Sequence, residues 1–488
     1  MTMYSRPILL DDTLADDWAS VELQGIDLRD SRLTDRAVDL LQTLANHPTL
    51  SIPAACATAA KTKGAYRFLD HKRVTFSTVL APHRACTHTR AQAEDTVLCL
   101  ADITEFNYTN KTVAAELGYI GDNKTRGLFG VPILAVTPDR VPLGLVDCQY
   151  WLRAECTRPA AARKHWPIEQ KETFCWLRAY RTVCQWQATL PTTTCVYITD
   201  RGGDIYEIYA EVSVQPEAAR AAFVIRGDGY DRCLLDATPA GEPQAAHLRA
   251  QVLAEATVKF PVQFELPATP DRPARVVVQQ GYAATVWLKA PYRKGRPLPD
   301  VAVNVVLLVE ENPPSGISPL VWLLYTSLPV TTEAEALRVV AYYLGRWEIE
   351  LYFKVLKSGC AVEELYLQTA ERLLPCLALY LIAAWRLLYT VRVGRACPDM
   401  PCTLVFTEAE WKAMRLIYDP EADLTTAPTM SEMVTMVAQS GGYVGAVKER
   451  WPGIKTMWVG MQCLHDYALA YHQFGMATRR RKEYPRTC

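Results

Sequence analysis

The stretch Tyr343–Lys357, reading YLGRWEIELYFKVLK, places four polar or charged side chains on one side of a predicted helix. At about 100° per residue, Arg346, Glu350 and Lys357 fall about 60°, 20° and 40° from Tyr343. A different side carries an apolar stripe made of Leu337, Val340, Leu344, Trp347, Leu351 and Val355. The stripe predicts packing on a core, so we expect the four other side chains to face outward.

This pattern of charges has two interpretations. Glu350 can serve as an oxygen ligand of a metal ion while Arg346 and Lys357 bind a phosphate. A solvated helix face with ordinary charge pairs explains the same spacing. The stretch alone leaves both interpretations open.

The composition predicts a multidomain globular protein without a global preference for nucleic acid. The chain has 488 residues, of which 50% are hydrophobic, and this length predicts about three domains with well-buried cores. The net charge is −1 and the sequence pI is near 6.7. Contact with DNA, if it occurs, must therefore come from local basic patches.

Cysteine usage and apolar segments predict a cytoplasmic protein without a membrane partner. The 15 cysteines are scattered and form no CxxC pair, which disfavours a zinc site and predicts reduced thiols. The first residues, MTMYSRPILLDD, turn acidic too early for a secretory signal. The apolar run Leu373–Val391 is interrupted by Pro375 and Arg386, so we interpret it as a buried helix too short to span a bilayer.

Residues 1–92 have the pattern of a helical domain that binds DNA. The segment Asp35–Leu44 has helical periodicity, and strand signals are sparse throughout the region. Cations are interleaved with aromatic residues, as expected for phosphate contacts, although a charged helix surface explains the same pattern. The cations are Arg29, Arg32, Arg36, Lys61, Lys63, Arg67, Lys72 and Arg73, and the aromatic residues are Tyr66 and Phe68.

Residues 93–370 combine strands with helices, and two of the predicted strands end in an aspartate. The strand Val97–Ala101 ends at Asp102, and the strand Cys195–Thr199 ends at Asp200. Residues from about 225 to 330 alternate or run apolar between Pro and Gly turns, which predicts a β-rich insertion. Residues 371–488 are mostly helical by the same criteria, with helices expected over Thr407–Tyr418, Met430–Ser440 and Leu464–Phe474.

Three carboxylates therefore stand at ends of strands or on the opening helix. Asp102 and Asp200 are 98 positions apart, and Glu350 follows 150 positions later. Phosphodiester chemistry with two divalent cations, about 3.5 to 4 Å apart, requires such a trio. Carboxylates without histidine favour Mg²⁺ over zinc. The trio predicts a two-metal nuclease or polynucleotidyl transferase.

The order and spacing of these residues resemble a known family. The sequence TSLPVTTEAEALRVVAYYLGRWEIELYFKVLKSG resembles the YREK signature of the bacterial DDE transposases of the insertion-sequence-four family, in their Tn-five branch. ADITEFNYT and ITDRGGDIYE resemble the two aspartate blocks, and GAYRFLDHKRV resembles the amino-terminal domain that binds transposon ends. After Arg201 the chain departs from that branch, with Gly202 and Gly203 where the branch has bulkier residues.

The resemblance implies an α/β fold with three parts. These are a helical end-binding domain over 1–92, an RNase H-like catalytic core over 93–370, and a helical dimerisation domain over 371–488. The core is expected to be a mixed sheet flanked by helices and interrupted by the β-rich insertion.

The resemblance also implies a role for each candidate site residue. Asp102, Asp200 and Glu350 become the catalytic metal ligands, holding two Mg²⁺ ions for which Mn²⁺ would substitute. Tyr343, Arg346 and Lys357 become the grip on a phosphate beside an extruded base, and Trp322 stacks on that base. The remaining expected DNA contacts are Arg226, Arg201, Lys124, Arg126, Arg32, Arg36, Lys63, Tyr66, Arg67 and Arg73.

The implied activity is cut-and-paste transposition through a hairpin. Water nicks one strand at the transposon end, and the freed 3′-hydroxyl closes a hairpin on the opposite strand. Water reopens the hairpin, and the 3′-hydroxyl then attacks target DNA. The expected partners are the inverted-repeat ends, the target duplex and a second copy of the chain.

Two other functions are compatible with parts of this pattern. A regulatory or domesticated DNA-binding relative without turnover would be marked by a lost ligand, and all three acids are present. A plain RNase H-type nuclease is disfavoured by Trp322 and by the phosphate-binding face. Short inverted repeats flanking the gene would favour the mobile element.

Overall fold

The structure is a computed structural model in which an amino-terminal group of helices precedes the first strand. It describes residues 18–121, 124–154, 166–216, 219–229, 232–245, 247–266, 273–293, 297–445 and 451–482, with side chains described to residue 474. The first helices are α1 (Trp18–Glu22), α2 (Ser31–Asn46), α3 (Ile52–Cys56), α4 (Ala59–Leu69) and α5 (Phe76–Ala91). The predicted helix over Asp35–Leu44 is confirmed as part of α2. Asp30 is the N-cap of this helix, and its side chain accepts a hydrogen bond from the Arg32 N–H.

The strands of the described residues form one 11-stranded sheet. They are β1 (Thr96–Ala101), β2 (Thr104–Asn107), β3 (Gly118–Ile120), β4 (Thr125–Val136), β5 (Pro142–Trp151), β6 (Thr194–Thr199), β7 (Ala222–Arg226), β8 (Val258–Leu266), β9 (Arg275–Leu288), β10 (Val301–Glu310) and β11 (Val321–Thr326). Both predicted strands that end in an aspartate are confirmed, as β1 and β6.

The sheet has a mixed centre and an antiparallel extension. In the centre the order is β5, β4, β1, β6, β7, with β4 antiparallel to β5 and β1, and with β1, β6 and β7 mutually parallel. Beyond β7 the sheet continues through β11, β10, β9 and β8, each antiparallel to its neighbour. The strands predicted over 225–330 are thus confirmed, and they extend the central sheet.

Each face of the sheet packs on its own hydrophobic core. Along β1, Leu98 and Leu100 enter one core while Val97 and Cys99 enter the other, as alternation along a strand requires. Because both faces are covered, β1 reads as a continuous apolar run. The second core is covered by α6 (Phe174–Gln187), α7 (Tyr206–Val214) and α8 (Leu248–Glu255), and the first by α9 (Glu333–Gly345), α10 (Trp347–Lys354) and α11 (Ala370–Ala396).

Helix α11 is a buried hub, as the sequence predicts for Leu373–Val391. It packs against α2, α5 and β5. By length and composition it could cross a membrane, but 78% of its most apolar window is buried inside the protein. The expectation that Pro375 leaves an apolar segment too short to span a bilayer is therefore wrong. The helix is 27 residues long and contains Pro375 without a break.

The carboxyl-terminal helices follow the predicted pattern closely. They are α12 (Glu408–Tyr418), α13 (Met430–Ser440) and α14 (Ile454–Lys482). Thr407 and Thr429 each start a helix with a capping box, and both bounds match the sequence pattern. Helix α14 is longer than the predicted Leu464–Phe474. Every cysteine in the described part of the chain is free, in line with the expected reduced thiols.

A buried ionic network joins the amino-terminal helices to the sheet and to α11. Glu22 accepts from Arg90 Nη1 at 2.6 Å, and its Oε2 lies 2.5 Å from His83 Nδ1. The backbone N–H of Leu145 donates to His83 Nε2 at 3.1 Å, so the His83 proton is on Nδ1 and is donated to Glu22. The Trp385 ring of α11 lies next to both partners of Glu22, 4.5 Å from the Arg90 guanidinium and 4.9 Å from the His83 ring.

The network sets an acid limit to stability. Burial by itself raises the pKa of Glu22, but Arg90 and His83 outweigh burial and lower this pKa to about 2. Burial lowers the pKa of His83 below its usual 6.5. Both groups bind more protons when unfolded, so their stabilisation is present at neutral pH and is lost on acidification. The loss from His83 begins below pH 6.5 and that from Glu22 runs from pH 4.5 to about 2.

We expect Glu22→Gln to lower the free energy of unfolding at pH 7 by about 3 to 5 kcal/mol, because it leaves Arg90 buried without its carboxylate. Urea denaturation measures the change. The matched control is Glu364→Gln, which removes an exposed partner of Lys111 and should cost less than about 1 kcal/mol. Equal losses in the two variants would contradict the role of the network.

Candidate active site

Asp102 and Asp200 leave two neighbouring parallel strands at the same level. In the pairing of β1 with β6, Leu100 lies opposite Ile198, an offset of 98 residues. Asp102 and Asp200 are separated by the same 98 positions, and each comes directly after the last residue of its strand. The sequence separation of the two aspartates therefore equals the offset of the strand pairing. This register places the two carboxylates side by side at one edge of the sheet.

The turn after Asp200 depends on two small residues. Asp200 Oδ1 accepts from the Gly202 N–H at 2.8 Å and caps the 3-10 turn Arg201–Gly203. A Cβ on Gly202 would lie 2.9 Å from the Trp176 ring, and one on Gly203 would lie 2.2 Å from Thr199 Cγ2. Close packing thus accounts for the glycines that distinguish this chain from the family branch it resembles.

The segment Tyr343–Lys357 is not the single outward-facing helix that the phase analysis predicts. Helix α9 ends at Gly345, α10 begins at Trp347, and a π-helical turn spans Val355–Gly359. Tyr343 and Arg346 are buried, whereas Trp347 of the predicted inner stripe is 56% exposed. Leu337 is also exposed. The physical reason is that Arg346 faces the sheet edge at Asp102 and Tyr343 packs against Trp322, so these two side chains are covered while Glu350 stays exposed.

Arg346 connects two of the three carboxylates. Its Nη1 donates to Asp102 Oδ2 at 2.8 Å and to Glu350 Oε1 at 3.2 Å. The Asp102 side chain is 13% exposed and the Glu350 side chain 44%. Burial and the nearby charge of Asp200 raise the pKa of Asp102 to about 7, and Arg346 offsets this only in part. The cluster therefore carries more negative charge than its one guanidinium neutralises.

The residue types of this cluster fit a divalent cation, although they do not surround one in this arrangement. Among the described residues, no three acidic, histidine or cysteine side chains stand close enough to enclose an ion. Arg346 lies between Asp102 and Glu350 instead. The donors are all hard oxygens, which Mg²⁺ prefers. Burial and the neighbouring charge of Asp200 raise the pKa of Asp102, and a bound cation would favour its ionised form.

An aromatic cluster lies next to the carboxylates. Its Tyr343 stands about one helical turn before Arg346 in the chain. The Tyr343 ring meets Trp322 of β11 edge-on, with 5.5 Å between centroids. Phe264 of β8 stacks on Trp322 at 5.6 Å with an interplanar angle of 26°. The Arg226 guanidinium lies 6.0 Å from the Trp322 centroid. The sequence-predicted residues Tyr343, Trp322 and Arg226 thus come together, and Phe264 joins them without having been predicted.

The other predicted contacts of the core have mixed surroundings. Lys357 Nζ lies 5.9 Å from the Phe106 ring of β2, and Arg201 is exposed beside Asp200. Lys124 is exposed just before β4. Arg126 donates to the Leu117 carbonyl at 3.0 Å and to Tyr119 Oη at 2.9 Å, so part of its guanidinium is used within the protein.

The predicted contacts of the amino-terminal region lie on α2, on α4 and in the turn after α4. Lys63 and Arg67 are exposed on α4. Arg32 pairs with Asp30, Arg36 packs over Gly64, and Arg73 donates to the Leu28 carbonyl. Tyr66 is half-buried with the Arg372 guanidinium 5.6 Å from its ring centroid.

Glu348 is a supporting residue that the sequence reasoning missed. Its two carboxylate oxygens accept from Arg392 of α11, both at 2.6 Å, and the pair is buried. Nearby, Tyr352 donates to the Leu381 carbonyl at 2.9 Å. These bonds fix α10 on α11 and so fix the side from which Glu350 projects. The available signal was a carboxylate beside the apolar stripe and an arginine within a largely apolar helix.

Comparisons with known proteins place this site between two matched domains. A family model described as transposase DNA-binding matches residues 15–74. A second, described as the transposase Tn5 dimerisation domain, matches residues 382–474. Together they define a DNA-cutting and DNA-transferring class of enzyme, with DNA and a second copy as partners. Within that class, they indicate a Tn5-like transposase.

A solved structure overlaps most of the chain weakly. It is the synaptic complex of the piggyBac transposase with hairpin DNA, at 9% sequence identity and a TM-score of 0.34, over 98% of this chain and 81% of that chain. A likeness at that score does not establish a shared fold.

We expect Arg346→Gln to lower the free energy of unfolding by about 2 to 4 kcal/mol, because it leaves Asp102 buried beside Asp200 without a cation. Chemical denaturation at pH 8 measures the change. Arg338→Gln is the control, since Arg338 is exposed on α9, which ends directly before Arg346, and should shift stability by less than about 0.5 kcal/mol. No difference between the two variants would show that Arg346 does not hold the acid cluster together.

Proposed function

We propose that this protein is a cut-and-paste DNA transposase of the insertion-sequence-four family, with Asp102, Asp200 and Glu350 as its DDE triad. The proposal rests on the strand register that sets Asp102 beside Asp200, together with the contacts of Arg346 with Asp102 and Glu350. The two matched domains on either side, one for DNA and one for dimerisation, support the same conclusion.

The catalytic core is proposed to be RNase H-like. Support comes from the central strand order β5, β4, β1, β6, β7, in which an antiparallel trio adjoins two parallel strands. In such a sheet the parallel strand ends are level, so acids that follow them meet at one edge. We propose the boundaries 1–92, 93–370 and 371–488 for the end-binding, catalytic and dimerisation domains.

The cofactor is proposed to be Mg²⁺, two ions per site, with Mn²⁺ as a substitute. Asp102, Asp200 and Glu350 would hold these ions, and bound cations would neutralise charge on the attacking and leaving oxygens of the phosphodiester. The oxygen donors and the raised pKa of Asp102 support this assignment.

Arg346 is proposed to exchange partners during the reaction. In the described arrangement it neutralises Asp102 and Glu350. A phosphate of the bound DNA offers the same guanidinium a bidentate partner. Tyr343 and Lys357 complete the phosphate grip, and both stand on the same broken helical segment as Arg346.

Trp322 is proposed to receive a base extruded next to the cleavage site. Closing a hairpin bends the last nucleotides sharply, and extruding one base relieves the crowding. Stacking of a base on an aromatic ring is worth about 1 to 3 kcal/mol, which favours the bent state. Trp322 is supported in this role by its contacts with Tyr343 and Arg226, which lie between the acids and the β-rich strands.

The remaining basic residues are proposed to bind the DNA backbone. Lys124, Arg126 and Arg201 would contact DNA near the core. The amino-terminal set would hold the transposon end, and its members are Arg32, Arg36, Lys63, Tyr66, Arg67 and Arg73. A second copy of the chain would complete a synaptic dimer in which each subunit holds one end, and the target duplex would bind afterwards.

We expect the wild-type protein to nick, hairpin and transfer duplexes taken from the termini that flank its own gene, in the presence of MgCl₂. Asp102→Ala, Asp200→Ala and Glu350→Ala should each reduce cleavage at least about a thousandfold, because each removes a cation ligand. The affinity for transposon ends, measured by gel shift, should remain within about threefold of wild type, because these carboxylates do not bind DNA phosphates.

Glu364→Ala is the matched control, since this exposed carboxylate pairs with Lys111. It should cleave like wild type. Full cleavage by any one of the three triad variants would overturn the site. Tight end binding by wild type without any cleavage would favour a regulatory DNA-binding relative instead.

A further inference from the structure

Phe264 covers the ring to which the proposed function assigns the extruded base. Its ring stacks on Trp322 with centroids 5.6 Å apart and planes 26° from parallel. Tyr343 meets the same indole edge-on, and Trp322 is only 8% exposed. The protein without DNA therefore fills the stacking surface with one of its own side chains.

A base cannot enter between these two rings as they stand. An aromatic ring inserted between two others needs about 7 Å between the outer rings, twice the usual carbon–carbon contact distance. The observed 5.6 Å is too short. A base that stacks on this side of Trp322 must therefore displace Phe264.

The surroundings of Phe264 permit such a displacement. Among the described strands, β8 is the last of the sheet and pairs with β9 alone. Its phenylalanines differ, since Phe260 is fully buried over Gly281 whereas Phe264 is only half-buried. A Cβ at Gly281 would lie 2.5 Å from the Phe260 ring, so Phe260 is locked in place. Phe264, near the end of the same strand, is not locked in this way.

We propose that Phe264 is a positioning residue that occupies the base site of Trp322 until an extruded base replaces it. This inference rests on the proposed function. Phe264 keeps the indole covered in the absence of DNA, and it competes with the base once DNA is bound. A flat base can stack on the indole in place of the phenyl ring, so the exchange favours the base when hairpin geometry presents one next to Trp322.

The competition predicts that removing the Phe264 ring and removing the Trp322 ring have opposite effects on hairpin formation. Phe264→Ala should raise the rate of hairpin formation relative to first-strand nicking by about threefold to tenfold, because the competing aromatic pair is removed. Phe264→Trp should lower the same ratio by a similar factor. Trp322→Ala should abolish most hairpin formation while nicking continues. A mere structural role for Phe264 would lower nicking and hairpin formation together.

The experiment uses the full-length protein with terminal duplexes that carry 2-aminopurine at each of the first few transposon nucleotides in turn. The probe reports extrusion of a base through its fluorescence, independently of turnover. We expect Phe264→Ala to increase the extruded population in Ca²⁺, where cleavage is not needed. Val276→Ala is the control, because Val276 is exposed on the neighbouring strand. Phe264→Leu tests the ring separately from the side-chain volume, if the alanine variant folds poorly.

The outcomes separate the two proposals. If Trp322→Ala hairpins like wild type, or if wild type makes no hairpin, the proposed function fails and the inference fails with it. If Trp322→Ala loses hairpins but Phe264→Ala equals Val276→Ala, or loses hairpins too, only the inference is overturned. Loss of hairpin formation in both Trp322→Ala and Phe264→Ala would mean that Phe264 and Trp322 hold the base together.

Discussion

The parallel pairing of β1 with β6 is the constraint on which the candidate site depends. Its register sets Asp102 level with Asp200 at one sheet edge. Burial of the Asp102 carboxylate and its repulsion by the adjacent Asp200 both raise the pKa of Asp102. Arg346 reduces the repulsion from the helical side and draws Glu350 into the same cluster. The helices around the site are arranged to hold that arginine and that glutamate in place.

The support for this arrangement comes from outside the sheet. Helix α10 is fixed to α11 through Glu348 and Arg392, and α11 in turn carries Trp385, on which the ionic network of Glu22 rests. The amino-terminal helices, the sheet and the last helices thus share one buried helix. A chain with matched DNA-binding and dimerisation segments at its two ends would use such a helix to keep both in fixed relation to the acids.

Much of the fold follows from the sequence because its strands and helices have strong local signals. The strands at Val97–Ala101 and Cys195–Thr199, and the helices after Thr407 and Thr429, are found where the sequence pattern predicts them. The parallel pairing of the two strands, although it equals their 98-residue spacing, is a long-range property that no local pattern reveals. The candidate acids were found from chemistry and resemblance, and the register explains how they meet.

The sequence reasoning was wrong where it assumed a regular helix. Extending one phase from Tyr343 to Lys357 ignores the break at Arg346 and the π-helical turn at Val355–Gly359. That assumption predicted that Tyr343 and Arg346 would be exposed and that Trp347 would be buried. In the structure, Tyr343 and Arg346 are buried and Trp347 is exposed. Phe264 was missed for a related reason. Its partner Trp322 lies three strands away in the sheet, so only the curvature of the folded sheet brings the two rings together.

The most direct measurement of the central claim is an anomalous difference map from crystals of the protein bound to its terminal DNA and soaked in MnCl₂. The account predicts two manganese peaks among the carboxylates of Asp102, Asp200 and Glu350, with Arg346 moved from Asp102 to a DNA phosphate. Absence of manganese at these carboxylates, with Arg346 still paired to Asp102 and Glu350, would contradict it.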